Sequence, residues 1–275
     1  MELTADTIAG VVAAALAEDV GEGDRTTDGI VPASARCAAR VLLREAGVVC
    51  GLPAATSVFT TLDASIVVDP FVEDGSRVSG PALLARIEGP ARAVLTGERV
   101  ALNLLGRLCG IATLTSRYVD LVEGTGATIL DTRKTTPGLR ALEKYAVRCG
   151  GGTNHRAGLY DAILIKENHL RIAGGVRPAI AALAGYEGPV EIEAETLEEV
   201  VEALDAGADR ILLDNMSVDE VARAVEVVGG RVPLEASGGI TLSNVRAYAE
   251  TGVDFISVGA LTHAARSLDV SLELE

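Results

Sequence analysis

VEIEAETLEEVVEALDAGADRILLDN, residues 190–215, is the stretch that decides the fold. Two runs of apolar residues, VEIEAE (190–195) and RILLDN (210–215), flank a segment of helical periodicity over 196–206. Thr196 and Glu199 stand at capping-box spacing at its start. This strand–helix–strand rhythm extends in both directions. Upstream lie ATILDT (127–132) and DAILIK (161–166); downstream lie VPLEAS (232–237) and DFISVG (254–259), with a second capping box at Ser217 and Glu220. Strand starts fall 34, 29, 20, 22 and 22 residues apart, the spacing of a β/α barrel. Six runs are clear, so the fold class is α/β, with an incomplete barrel of six to seven strands.

The first part of the chain reads differently. Residues 4–18 have helical periodicity behind Thr4, a residue able to cap. EDVGEGDRTTDGIVP, ending at Pro32, reads as a polar loop. Short β-type runs alternate with turns from Ala38 to Pro90, and residues 92–118 form a long amphipathic helical stretch that Gly106 or Gly110 would interrupt. We therefore expect an N-terminal α+β domain over 1–110 with a mainly antiparallel sheet, then the barrel over 111–275. The last few residues are expected to pack back on the first domain.

Composition narrows the function. The chain has 275 residues, 48% of them hydrophobic, and carries 24 Lys+Arg against 39 Asp+Glu, a net charge of −15. That surface repels nucleic acid and anionic membrane. No run of 18 apolar residues occurs and the N-terminus lacks a basic signal-peptide region, so a cytoplasmic protein is expected. Cys37, Cys50, Cys109 and Cys149 have no paired spacing and read as buried hydrophobes in a reducing cytosol. Only three of the 24 basic residues are lysines: Lys134, Lys144 and Lys166.

All three fall in the window 130–171, where eight Lys/Arg face four acids. A cationic focus on an acidic body gathers small polyanions. Arg133, Lys134, Arg156 and Lys166 stand at or near strand exits, where a barrel builds its site. Arg140, Lys144 and Arg148, spaced i, i+4, i+8, equally fit a solvated helix face. Glu193 and Asp214 end neighbouring strands, where carboxylates hold Mg²⁺ or stabilise a cationic carbon. Glu191 shares the parity of Glu193, and periodicity leaves both open. Ser237-Gly238-Gly239 and Val258-Gly259-Ala260 close the last two strands, the usual place of a barrel's phosphate site. These features describe an enzyme acting on a phosphosugar and an anionic co-substrate. Lys166 at a strand exit also suits a Schiff-base aldolase, and a non-catalytic carrier of phosphoribosyl ligands is the reading from another class.

The run ILDTRKTTPGLRALEKYAVRCGGGTNHRAGLYDAILIKENH (129–169) resembles the quinolinate phosphoribosyltransferases (nicotinate-nucleotide pyrophosphorylase, carboxylating) of the type II phosphoribosyltransferase family. LTGERVALNLLGRLCGIAT (95–113), GADRILLDN (207–215), ASGGI (236–240) and ETGVDFISVGALTH (250–263) carry the likeness along the chain. The resemblance implies an N-terminal α+β domain, an incomplete barrel and a homodimer in which one subunit covers its neighbour's barrel mouth. It implies transfer of the phosphoribosyl group of 5-phosphoribosyl-1-pyrophosphate to quinolinate with Mg²⁺ and loss of CO₂. By motif, Arg99, Arg133, His155, Arg156 and Lys166 grip the quinolinate carboxylates, with Arg99 arriving from the partner subunit. Lys134, beside Thr132, faces pyrophosphate and the reacting centre. Glu193 and Asp214 serve ribose hydroxyls and Mg²⁺, and 237–239 with 258–260 hold the 5′-phosphate. Thr136 and Ala157 stand where many relatives have leucine, and each is expected to reshape the pocket wall slightly.

Overall fold

Thr4 caps the first helix as its position implies: its hydroxyl accepts from the Thr7 N–H at 3.2 Å. The computed structural model describes residues 3–275. In chain order the elements are α1 (Ala5–Val20), α2 (Arg25–Ile30), β1 (Arg36–Leu43), β2 (Gly47–Val48), α3 (Leu52–Leu62), β3 (Val67–Pro70), β4 (Arg77–Val78), β5 (Ala82–Pro90) and α4 (Ala91–Val122). There follow β6 (Thr128–Leu130), α5 (Arg140–Cys149), β7 (Ile163–Ile165), α6 (Glu167–Ala173), α7 (Val176–Ala182), β8 (Val190–Ala194), α8 (Leu197–Ala206) and β9 (Arg210–Asp214). The chain closes with α9 (Val218–Val228), β10 (Leu234–Ser237), α10 (Val245–Ala249), β11 (Phe255–Ser257), α11 (Ala260–His263) and β12 (Val270–Leu274).

Two compact units result. The first takes the chain up to Ser116, Thr135–Gly151 and Leu261–Glu275; the second takes Arg117–Lys134 and Gly152–Ala260. In the first, an antiparallel sheet runs β12-β1-β5-β3, with β2 and β4 as a separate pair. Alternation along β1 buries Ala39, Val41 and Leu43, β5 buries Leu84, Ala85 and Ile87 across a register shift, and α3 adds Val58 and Phe59 to the same unit's core. The segment 135–151, expected in the barrel half, lies here. Its physical tie is Glu143 of α5, fully buried, whose carboxylate takes Arg107 of α4 at 2.8 Å together with the Thr136 N–H and hydroxyl. Lys144 is fully buried beside it, so the solvated helix face, one of the readings left open for Arg140, Lys144 and Arg148, does not hold at that residue.

Two further expectations change. The supposed loop before Pro32 contains α2, started by Asp24, whose carboxylate accepts from the Thr27 N–H at 3.0 Å. The long helix is unbroken over 32 residues despite Gly106 and Gly110. Those glycines serve packing, not interruption: the backbone of Arg266–Leu268 crosses directly over them. A Cβ at Gly110 would lie 3.0 Å from the Arg266 carbonyl carbon and closer still to its oxygen. Gly110→Ala is expected to lower the unfolding free energy by about 3 kcal/mol, since backbone must move. Gly10→Ala, in exposed α1 with open space around it, serves as the control and is expected to gain up to ~1 kcal/mol. Equal urea midpoints for the two variants would contradict this.

The second unit holds six parallel strands in the order β6-β11-β10-β9-β8-β7. All six expected runs are strands of this one sheet. The two end strands, β6 and β7, do not pair; beside β6 an isolated parallel bridge joins Leu130 to Thr153. The barrel is thus incomplete, as expected. Both capping boxes form: Thr196 and Ser217 accept from the N–H of Glu199 and Glu220, whose carboxylates answer the cap N–H groups. Among the described residues no helix is long and apolar enough to cross a membrane.

Candidate active site

Parallel strands end together, and at this end of the second unit a cavity of about 520 Å³ opens. Side chains two apart on a strand face the same way. On that rule Leu164 and Lys166, Glu191 and Glu193, Arg210, Leu212 and Asp214, Glu235 and Ser237, and Phe255 and Ser257 all share the inner face. The cavity is lined by members of this set together with Thr132, Arg133, Lys134, His155, Arg156, Asn215, Gly238 and Gly239.

Among the expected site residues, Thr132, Arg133, Lys134, His155, Arg156, Lys166, Glu193, Asp214, Ser237, Gly238 and Gly239 therefore come together. Arg99 does not line this cavity; it is exposed on α4 in the first unit. Val258, Gly259 and Ala260 are also absent from the lining, as are Thr136 and Ala157. Glu235, Leu164, Leu212, Ser257 and Asn215 line it without having been expected. The first four were within reach of the same parity rule, counted back from the strand ends.

The ambiguity between the two glutamates resolves by depth. Glu193 stands at the rim, ion-paired with the Lys166 ammonium and 3.3 Å from the Glu167 N–H. Glu191 lies one layer down, opposite Arg210 in the register of β8 and β9. There Arg210 bridges Glu191, at 3.1 Å from Nε, and Glu235, while its guanidinium stacks 4.0 Å from the Phe255 ring centre. The Arg210 Nε approaches Glu191 off the hydrogen-bond direction, so this contact is an ion pair. Burial, and then repulsion from Glu191, pushes Glu235 up to about 7. Burial also acts to raise Glu191, but His155 and Arg210 outweigh it and hold that carboxyl below its ordinary range.

This charged floor positions His155. The imidazole Nδ1 accepts from the Arg156 N–H at 2.8 Å, so the ring proton resides on Nε2, 3.1 Å from Glu191 and 3.5 Å from Glu235. Asp131, fully buried at the end of β6, accepts from the His155 N–H at 2.9 Å and from the Asn154 amide at 2.6 Å. The loop that carries His155 and Arg156 is therefore pinned from both sides. His155, Glu191 and Glu235 have the donor types of a metal site, yet Arg210 already supplies the positive charge there.

Above the floor the cavity is cationic on one side and anionic on the other. Burial and then the neighbouring Arg133 charge lower Arg156, against the pull of Glu191 and Asp161. Opposite, burial and the Glu193 charge raise Asp214 against the pull of Lys166 and Lys134. Asn215 holds Asp214 through its amide at 2.8 Å and is, among the described residues, the one non-glycine with positive φ. Its N–H donates to the Ser237 carbonyl at 2.8 Å, which brings the Gly238 turn against it. A Cβ at Gly238, at φ +90°, would lie 2.9 Å from the Asn215 nitrogen, whereas Gly239 has open space. Gly238→Ala is expected to lower unfolding stability by about 2–3 kcal/mol and Gly239→Ala by about 1 kcal/mol. A denaturant series in which the two cost the same would refute the close approach.

Known proteins match this arrangement from end to end. Residues 24–109 match the quinolinate phosphoribosyl transferase N-terminal domain, and residues 111–273 the C-terminal domain. The chain is 46% identical over 271 residues to the nicotinate-nucleotide pyrophosphorylase [carboxylating] of Mycobacterium leprae, covering 94% of each. It is 43% identical over 260 residues to the probable nicotinate-nucleotide pyrophosphorylase [carboxylating] of Bacillus subtilis, covering 94% of this chain and 90% of that protein. The crystal structure of NadC from Streptococcus pyogenes superposes with a TM-score of 0.95 at 41% identity, over 100% of this chain and 99% of that one.

Proposed function

The chain belongs to the quinolinate phosphoribosyltransferase family, and on that premise we propose that it transfers the phosphoribosyl group of 5-phosphoribosyl-1-pyrophosphate to quinolinate with decarboxylation. The products are nicotinate mononucleotide, pyrophosphate and CO₂, a step of NAD synthesis. The observation that carries this reading is the two-sided cavity, with Arg133, Lys134, Arg156 and Lys166 against Glu193 and Asp214.

Each residue type suits its share of the reaction. The pyridine nitrogen of quinolinate brings its own lone pair, so no enzymic base is needed. The barrier lies in expelling pyrophosphate from C1. Arg133 and Arg156, already repelling one another, accept the substrate carboxylates in their place, and forked guanidiniums fix the ring's angle of attack. His155 presents its ring to the cavity from the floor and Thr132 stands beside Lys134. Lys134 meets the leaving charge as a compact point cation. Glu193 and Asp214 face the ribose hydroxyls, and Ser237, Gly238 and Gly239 receive the 5′-phosphate through backbone N–H groups.

The same two carboxylates fit Mg²⁺, because the Glu193 charge raises the cost of charge on Asp214 and a cation held by the two would remove that cost. Bound there, the ion would neutralise pyrophosphate oxygens. Arg99 completes the carboxylate grip from a second copy in a homodimer, and Val258, Gly259 and Ala260 flank the phosphate site. Free cysteines and an acidic surface suit the cytoplasm. The aldolase alternative is disfavoured by the Lys166–Glu193 ion pair, since a Schiff-base amine is activated by desolvation or a neighbouring cation.

Mixing the protein with quinolinate, 5-phosphoribosyl-1-pyrophosphate and Mg²⁺ is expected to yield nicotinate mononucleotide and CO₂. Nicotinate in place of quinolinate is expected to give no turnover. Use of nicotinate but not quinolinate would overturn the dicarboxylate assignment.

A further inference from the structure

Three of the four cysteines converge in the first unit, and none is in a disulfide. Cys109 is committed to backbone: its Sγ accepts from the Cys50 N–H at 3.2 Å and donates to the Cys50 carbonyl at 3.3 Å. Cys50 is thereby held with its thiol against that of Cys149, the last residue of α5. One sulfur from each and a carboxylate oxygen of Asp74 lie within 4.8 Å of one another.

Asp74 has a plain structural duty. Its Oδ1 accepts from the Leu52 N–H at 3.1 Å, and its Oδ2 from the Gly51 N–H at 2.9 Å and the Tyr145 hydroxyl at 2.9 Å, which caps α3. That duty makes the carboxylate rigid without exhausting it, since each oxygen accepts two bonds and Oδ1 has one. Asp74 and Tyr145 also line a cavity of about 650 Å³, which opens the carboxylate side of the cluster.

We propose that Cys50, Cys149 and Asp74 form a binding site for a soft divalent cation of the zinc–cadmium class. Two thiolates and one carboxylate are a donor set that such ions take and that Mg²⁺ does not. The site is built from none of the residues that line the ribosyl-transfer cavity. Binding is acid–base chemistry with no change of oxidation state: the cation replaces two thiol protons, which leave to solvent. Arg148, over the Tyr145 ring at 5.6 Å, offsets part of the site's negative charge.

Untagged, fully reduced protein titrated with Cd²⁺ tests this directly. The ultraviolet thiolate-to-cadmium band is expected to grow linearly, plateau at one equivalent, release two protons and be reversed by competing Zn²⁺ but not by excess Mg²⁺. Cys149→Ser, at a half-buried position that tolerates an isostere, is expected to lose the band, and Asp74→Asn to bind at least ~10-fold more weakly. Cys37→Ser is expected to titrate like the wild type. Absence of a band at stoichiometric cadmium, a band undiminished in Cys149→Ser, or unchanged affinity in Asp74→Asn would each overturn the three-ligand site.

Discussion

Lys134→Ala is expected to lower kcat by about 10²–10³-fold, the usual cost of removing one fixed charge from a developing anion. Lys134 is exposed at the cavity edge, where its backbone N–H donates to the Thr132 hydroxyl at 3.0 Å and its charge acts on Asp214. Lys134 is solvent-exposed, so the variant is expected to keep the unfolding midpoint of the parent. Lys134→Arg is expected to recover only a small part of the loss, because a planar fork cannot occupy the place of a compact ammonium. Steady-state rates with quinolinate and 5-phosphoribosyl-1-pyrophosphate decide the matter. Near-normal turnover in the alanine variant would remove Lys134 from the chemistry.

The largest expected effect on stability belongs to Arg210. Arg210→Met strands Glu191 and Glu235, both buried, without the cation they share, and is expected to cost about 3–5 kcal/mol. The loss depends on pH. Glu235 is raised from 4.5 to about 7, so the native state favours its protonated form. The stability this contributes is complete below 4.5 and disappears as pH climbs through 7. Glu191 is lowered, and its contribution runs the other way, present above 4.5 and lost as pH falls. Because Arg210 lowers both carboxyls, its removal steepens the alkaline loss. Urea unfolding on either side of pH 7 measures this. Glu235→Gln added to Arg210→Met is expected to restore part of the deficit and flatten the slope. A methionine variant as stable as the parent at alkaline pH would show that the arginine is not shared.

The barrel was legible because strands buried on both faces write themselves as apolar runs of regular spacing, and their polar ends marked the cavity. Glu193 and Asp214 were readable for that reason. The floor was harder to see: Glu235 and Arg210 sit inside strands, where a charged residue reads as an outward one until the register pairs it. Gly110 shows the opposite error. A glycine in a helical pattern signals interruption, yet here it marks where a non-local backbone crosses, and the sequence does not record what crosses it. Lys144 misled likewise: i, i+4, i+8 spacing describes a helix face but not whether water or protein meets it. Asp24 could have announced α2, had its capping position been weighed against the surrounding glycines.

The pairing of β1 with β12 bears on biosynthesis. Arg36–Leu43 leaves the ribosome more than 200 residues before Val270–Leu274, its partner on one edge. Through that interval the nascent sheet has β5 on one side of β1 and an unsatisfied edge on the other, a surface open to unwanted strand pairing. The six-stranded sheet, whose last strand ends at Ser257, has all its partners synthesised before this one closes. Translation thus delivers every strand of the six-stranded sheet before the strand that completes the N-terminal sheet, whose open edge is the last of the two to be covered.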